Sequence, residues 1–200
     1  MATPTIYEST FALGLGQVPI GIVDPILHDE LVSIHNAIAG LAQAVSDNRI
    51  FGDMYIYAEF VVAISDTSRV EVKDAAGDAW HAGYLNQVTF PTGGTEHYLT
   101  VPKDGKYLVV WSLSTHVTSA GHADIHAGVA INGTPIVDDG EAQFTHPNVT
   151  STDSIVLASA TVVDCPVGTE QISLWVSNSL TTNLHVTHGN VYIRRVNNLS

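Results

Sequence analysis

Basic residues are scarce in this chain: seven Lys and Arg stand against twenty Asp and Glu, a formal charge of −13 over 200 residues. A surface of that sign repels phosphate backbones, which excludes a nucleic-acid partner unless the cations cluster. They are scattered, and the one adjacent pair is Arg194-Arg195. Cysteine is scarcer still. Cys165 stands alone, which excludes an intramolecular disulfide framework and a Cys-based zinc cluster. It is expected as a small buried hydrophobe. No apolar run approaches the roughly 18 residues a membrane span needs, so no membrane partner is expected. The opening MATPTIYESTFALGLGQVPIG has no basic head and no continuous apolar centre, so it does not read as a secretory leader. A phosphate-binding Gly-rich loop and a Gly-x-Ser-x-Gly nucleophile turn are both missing, which removes the commonest sequence signs of nucleotide binding and ester hydrolysis.

What is present is a globular composition, 45% hydrophobic and 14% charged, that falls into three segments. Residues 1–23 mix Gly14, Gly16, Pro19 and Gly21 with Phe11, Leu13, Leu15, Ile20 and Ile22. Gly and Pro at this density break regular structure, yet the apolar content is high for a linker. We expect an extended arm that orders against another surface. Residues 24–47 read as one amphipathic helix. Asp24-Pro25 supplies an N-cap and a proline at the first helical position, and Asp29 and Glu30 lie near the first turn, where they suit the helix dipole. Leu27, Leu31, Ile34, Ile38, Leu41 and Val45 follow a four-three spacing, a heptad seam over three repeats. Such a seam is too short to associate alone, and it packs either on its own domain or on a tethered partner.

Residues 48–200 change period. In YLTVPKDGKYLVVWSLSTHV (98–117), Tyr107, Val109, Trp111, Leu113 and Val117 alternate with Leu108, Val110, Ser112, Ser114 and His116 after a Pro-x-Asp-Gly turn. In HADIHAGVAING (122–133), Ile125, Ala127, Val129 and Ile131 share one face, and Asn132-Gly133 marks a turn. GDMYIYAEFVVAIS, SIVLASATVV, QISLWVSNS and NLHVTHGNVYIRRV continue the series, with CPVGTE as a further loop. About eight strands and no second helix give an all-β jelly-roll sandwich with an N-terminal extended arm and one α-helix.

The β region resembles the trimeric jelly-roll family that includes complement globular heads and tumour-necrosis-factor-like domains. The likeness lies in YLTVPKDGKYLVVWSLS, the Asn-Gly hairpin of GVAINGTPI, SIVLASATVVDCPVGTEQISLWVSN and the closing HGNVYIRRV, over roughly residues 90 to 196. Gly168-Thr169-Glu170-Gln171-Ile172 carries one residue more than the family's turn. Upstream, DP-x-x-x-x-EL-x-x-IHNAI followed by GDMYIY is similar to bacteriophage head-decoration and tail-fibre proteins. These resemblances imply a non-enzymatic homotrimer without cofactor, seated on a virion and assembled in a host cytoplasm, with the major capsid protein as partner. Phe11, Leu13, Leu15, Ile20 and Ile22 of the arm, with Leu27, Leu31, Ile34, Ile38 and Leu41 of the helix, would then bind the capsid. Trp175, out of phase with Ile172, Leu174 and Val176, is expected at the trimer interface with His122, Asp124 and His126. The alternative is a tail-fibre or receptor-binding adhesin using loops at Trp80 to Tyr84 or Asp138 to Asn148.

Three groups of residues suggest chemistry instead. His122-x-Asp124 with His185 and Arg195 has the residue types of an iron-dependent, 2-oxoglutarate-using oxygenase, but with ten His in the chain such pairs arise by chance. His122, Asp124 and His126 on a threefold axis would suit a shared metal ion or pH sensor, though solvated histidines explain them more simply. Asp138, Asp139 and Glu141 lack the alternating ligand pattern of a calcium loop. No metal site is assigned.

Overall fold

The structure, a computed structural model, describes residues 25–47, 49–64, 67–76, 79–93, 97–117, 120–137, 139–150, 153–180 and 182–196. The arm, residues 1–23, lies outside them, and with it Phe11, Leu13, Leu15, Ile20 and Ile22. The chain divides between Asp47 and Asn48 into two units. In the first, α1 spans Pro25–Asp47, starting at the proline as expected. Its first turn contains no acidic residue, because Asp29 and Glu30 fall beyond it, where the dipole's influence has faded. Ile34, Ile38, Leu41 and Val45 are exposed along the seam.

The second unit is built from β1 (Phe51–Ile56), β2 (Phe60–Val62), β3 (Val70–Glu71), β4 (Trp80–Asn86), β5 (Leu99–Thr100) and β6 (Gly105–Val117). It continues through β7 (Gly121–Ile131), β8 (Thr134–Pro135), β9 (Ala142–Val149), β10 (Ile155–Cys165), β11 (Gln171–Asn178) and β12 (Leu184–Val196). The eight expected strands become twelve among the described residues, because the short pieces β2, β3, β5 and β8 have too little pattern to show in sequence. One sheet runs β10-β6-β12-β1-β4 with β2 also on β12; the other runs β3-β11-β7-β8 with β5 on β11 and β9 on β7. Every pairing is antiparallel. The long strands β6, β10 and β12 lie in the first sheet, whereas β7, β9 and β11 lie in the second, so the chain crosses repeatedly between layers. That is a jelly roll.

Strand alternation fills the space between the sheets. Tyr107, Val109, Trp111, Leu113 and Val117 of β6 point inward, opposite Ala123, Ile125, Ala127 and Val129 of β7, and all are buried. The tight hairpin from β7 to β8 turns at Asn132 (φ 51°) and Gly133 (φ 73°), the left-handed pair that a two-residue turn of this hand requires. The Pro-x-Asp-Gly segment makes a different connection. It carries the chain from β5 in one sheet to β6 in the other.

That crossover and the β10–β11 crossover lean on each other at one end of the sandwich. Gly168 has φ 76°, and a Cβ there would come within 2.5 Å of the Asp104 amide nitrogen, so no other residue fits. Beside it, Glu170 is buried. Its carboxylate accepts hydrogen bonds from the amides of Val167 (2.8 Å), Gly168 (2.8 Å) and Thr169 (3.1 Å). Its carbonyl accepts from the Val101 amide at 3.0 Å. Burial pushes this carboxyl's pKa up, but the backbone amides outweigh that and hold it below the usual carboxylate range. Nearby, burial raises Tyr107 to about 12 and Cys165 to about 12. The cysteine is the inert buried residue expected.

Glu170 therefore gives a pH-dependent stability with a defined sign. Its folded pKa lies below its unfolded value, so the contribution is complete above about pH 4.3 and is lost as pH falls through the folded value. Glu170→Gln is expected to lower stability by about 1–3 kcal/mol at pH 7 in urea unfolding, with the gap to wild type closing in acid.

Candidate interaction faces

With the inward residues committed to the core, the chemistry available to other molecules lies on the two outward faces. On the first sheet that face is mostly apolar, aromatic or small. β10 contributes Val156, Ala158, Ala160 and Val162; β6 contributes Leu108, Val110, Ser112 and Ser114. Register places Ala160 beside Val110 and Val110 beside Tyr192, then Tyr192 beside Asp53. Phe51 and Tyr84 stack at 5.5 Å between ring centroids, and Tyr55 lies 6.0 Å from the His81 ring. Val110 is 41% exposed, Val156 67% and Tyr84 68%. Charge gathers at one end of this face, where Lys106 pairs across the ladder with Asp164 and Arg194 lies between Leu108 and Phe51. Asp53 accepts the Tyr84 amide at 2.8 Å.

The outward face of the second sheet is its chemical opposite. His122, Asp124 and His126 do share that face of β7, as the spacing requires, with Ala123, Ile125 and Ala127 buried on the other. They are engaged with neighbours in their own chain. His122 lies 3.9 Å from Asp124, and His126 pairs with Glu141, which also meets Arg69 at 4.0 Å. Glu71 accepts from the Ser173 hydroxyl at 2.9 Å and lies 3.5 Å from His97 and 3.8 Å from Lys73. The His97 contact is the main reason the Glu71 pKa sits low, ahead of an opposing burial effect.

Trp175 does not stand open to another subunit. It is 0% exposed, laid against Gly128 and roofed by the Arg69 guanidinium 4.8 Å above its ring. It points away from the inter-sheet core that Ile172, Leu174 and Val176 enter, as its phase along β11 requires. Arg69, distant in sequence, then covers it, and sequence alone gave no sign of that lid. The adhesin surfaces also shift. Trp80 is buried on β4, its indole donating to the Val72 carbonyl at 2.9 Å. Most of the segment up to Asn148 is strand β9 rather than loop, and Asp138 lies outside the described residues.

The oxygenase constellation does not assemble. His122 and Asp124 face outward from one sheet, while His185 faces outward from the other. His185 and Arg195 sit ten residues apart on one strand, about 33 Å at 3.3 Å per residue. Arg195 instead donates to the Asp104 carbonyl at 2.6 Å and braces the β5–β6 crossover.

A Cβ on Gly128 would meet the Trp175 ring at 3.0 Å. Gly128→Val is therefore expected to cost about 1–3 kcal/mol through overpacking and to red-shift tryptophan emission as Trp175 is displaced toward water. Unfolding curves and fluorescence spectra of the variant check both.

No protein-family model matches the sequence. No curated protein matches it significantly. Among solved structures, the chain is similar to the Eiger TNF of S. frugiperda, with 15% identity and a TM-score of 0.47 over 76% of this chain and 96% of that one. It is similar to the globular domain of the zebrafish complement 1qA protein, with 12% identity and a TM-score of 0.44 over 74% and 98%. Murine APRIL gives 14% identity and a TM-score of 0.42 over 72% and 98%. The jelly-roll assignment rests on the strand order and register described above.

Proposed function

We propose that this chain is a non-enzymatic structural protein: a homotrimer joined through the outward face of the β10-β6-β12-β1-β4 sheet and fixed to a virus capsid by its arm and helix. The observation that carries the self-association is the composition of that face. Its centre exposes contiguous apolar and aromatic side chains, with Lys106, Asp164 and Arg194 gathered at one end, the make-up of a contact surface with a polar rim. The strong negative charge of the chain would oppose self-association over most other surfaces. A closed ring of three needs a heterologous contact, in which one chain's face meets a different patch on the next. Both patches would lie on this face: the β10 margin of one chain, with Val156 and Val162 exposed, would meet the Val110–Tyr192 centre of the next.

Attachment to a shell draws its support from the resemblance of the upstream segment to phage head proteins and from the exposed seam of α1. Ile34, Ile38 and Leu41 present apolar area that three joined chains would bring to high effective concentration. The reading as an adhesin is favoured by one observation, the exposed Tyr57 (76%) beside His81 and the stacked Phe51–Tyr84 pair, which are aromatic surfaces of the kind sugars stack on. Copies spread over the shell support decoration; a few copies at a tail support adhesion.

Light scattering of the full chain is expected to return three times the 21.3 kDa chain mass. Val110→Arg places a charge at the centre of the face and is expected to reduce the mass to a single chain while leaving the melting temperature of the protomer nearly unchanged. A wild-type protein that is already a single chain refutes the trimer. Deleting residues 1–23 is expected to leave a folded trimer that no longer co-sediments with capsids.

A further inference from the structure

At the end of the first sheet away from Phe51 and Tyr84, three side chains from three separate places in the sequence converge. His116 near the end of β6 and His185 at the start of β12 are direct cross-strand partners. Directly opposed residues hold their Cβ atoms about 4.5–5.5 Å apart, and here the two imidazoles stack with centroids 4.6 Å apart and planes 21° from parallel. Glu59, just before β2, reaches the same spot because β2 pairs with β12 and sets Val61 opposite His185. Its Oε1 lies 2.6 Å from His185 Nδ1. One ligand atom from each of the three lies within 4.8 Å of the others.

We propose that Glu59, His116 and His185 form a binding site for a divalent first-row transition ion of the zinc class. Two neutral imidazoles and one carboxylate are borderline donors that suit zinc, nickel or copper, whereas calcium and magnesium take oxygen ligands. Zn–N bonds of about 2.0–2.1 Å put the donors of a tetrahedral site about 3.3 Å apart. The donors already lie within 4.8 Å of one another, with Glu59 Oε1 and His185 Nδ1 2.6 Å apart, so small rotations of these partly exposed side chains would reach that spacing. Three protein ligands leave coordination positions for water. The excess of carboxylates over the whole chain raises the local cation concentration. Once bound, the ion ties the three-residue β2 to β12 and β6, clamping the sheet at a point where only three ladder pairs hold the edge. The site depends on a single chain and is independent of the proposed trimer.

Titration of the full chain with zinc chloride by calorimetry at pH 7.5 is expected to show saturable uptake of one ion per chain. His116→Ala and His185→Ala should each weaken it at least tenfold, and Glu59→Gln should weaken it less. His122→Ala, on the outward face of the other sheet, should leave it unchanged. Zinc should raise the melting temperature of the wild type and of His122→Ala but not of His116→Ala or His185→Ala, whose folding is verified by circular dichroism. Calcium and magnesium chlorides should give no saturable heat. Absence of saturable zinc binding, binding that survives both His116→Ala and His185→Ala, or a stoichiometry of one zinc per two or three chains would overturn the proposal.

Discussion

A strand has two faces, and in a two-layer sandwich the inner one is committed to the core. That constraint decides nearly everything this protein can present to its surroundings. Because β6 must bury Tyr107, Val109, Trp111 and Leu113, its alternate residues are forced outward. Slipping the register by one residue would expose the core and bury the outer face. The outward surfaces are thus as sharply specified as the interior, although nothing inside the chain needs their particular chemistry.

The two outward faces have used that freedom differently. One sheet carries two partnered polar groups, Glu71 with His97 and Ser173, and Glu141 with His126 and Arg69, whose guanidinium covers Trp175. Partnered charges of this kind gain little from a further contact and pay desolvation to enter one. The centre of the other sheet carries valine, alanine and aromatic rings, which cost little to remove from water, with its charges toward one end. This asymmetry, more than the fold, distinguishes a face suited to contact from one suited to solvent.

The end of the sandwich where crossovers meet shows a different economy. Loops between layers cannot complete a ladder, so their amides need other acceptors. Glu170 supplies one carboxylate for three of them, and Gly168 lets the neighbouring crossover approach. That turn thus holds a buried carboxylate with a structural task. The sequence marked the loop but did not mark Glu170, because a glutamate in a polar turn looks like any solvated one.

Period-two alternation, the Asn-Gly turn and the Asp-Pro helix start were legible in the sequence, since each depends on residues a few positions apart. So was the placing of His122, Asp124 and His126 on one face of a strand. The short strands were not legible, for two or three residues carry no period. Nor were Arg69 over Trp175 or Glu59 beside His116 and His185, because these partners are joined only by strand order. Local chemistry along the chain determined which side of each strand is apolar. Only the tertiary structure decided which strands lie side by side, and therefore which outward residues meet, because hydrogen-bonded register links positions that sequence distance keeps apart.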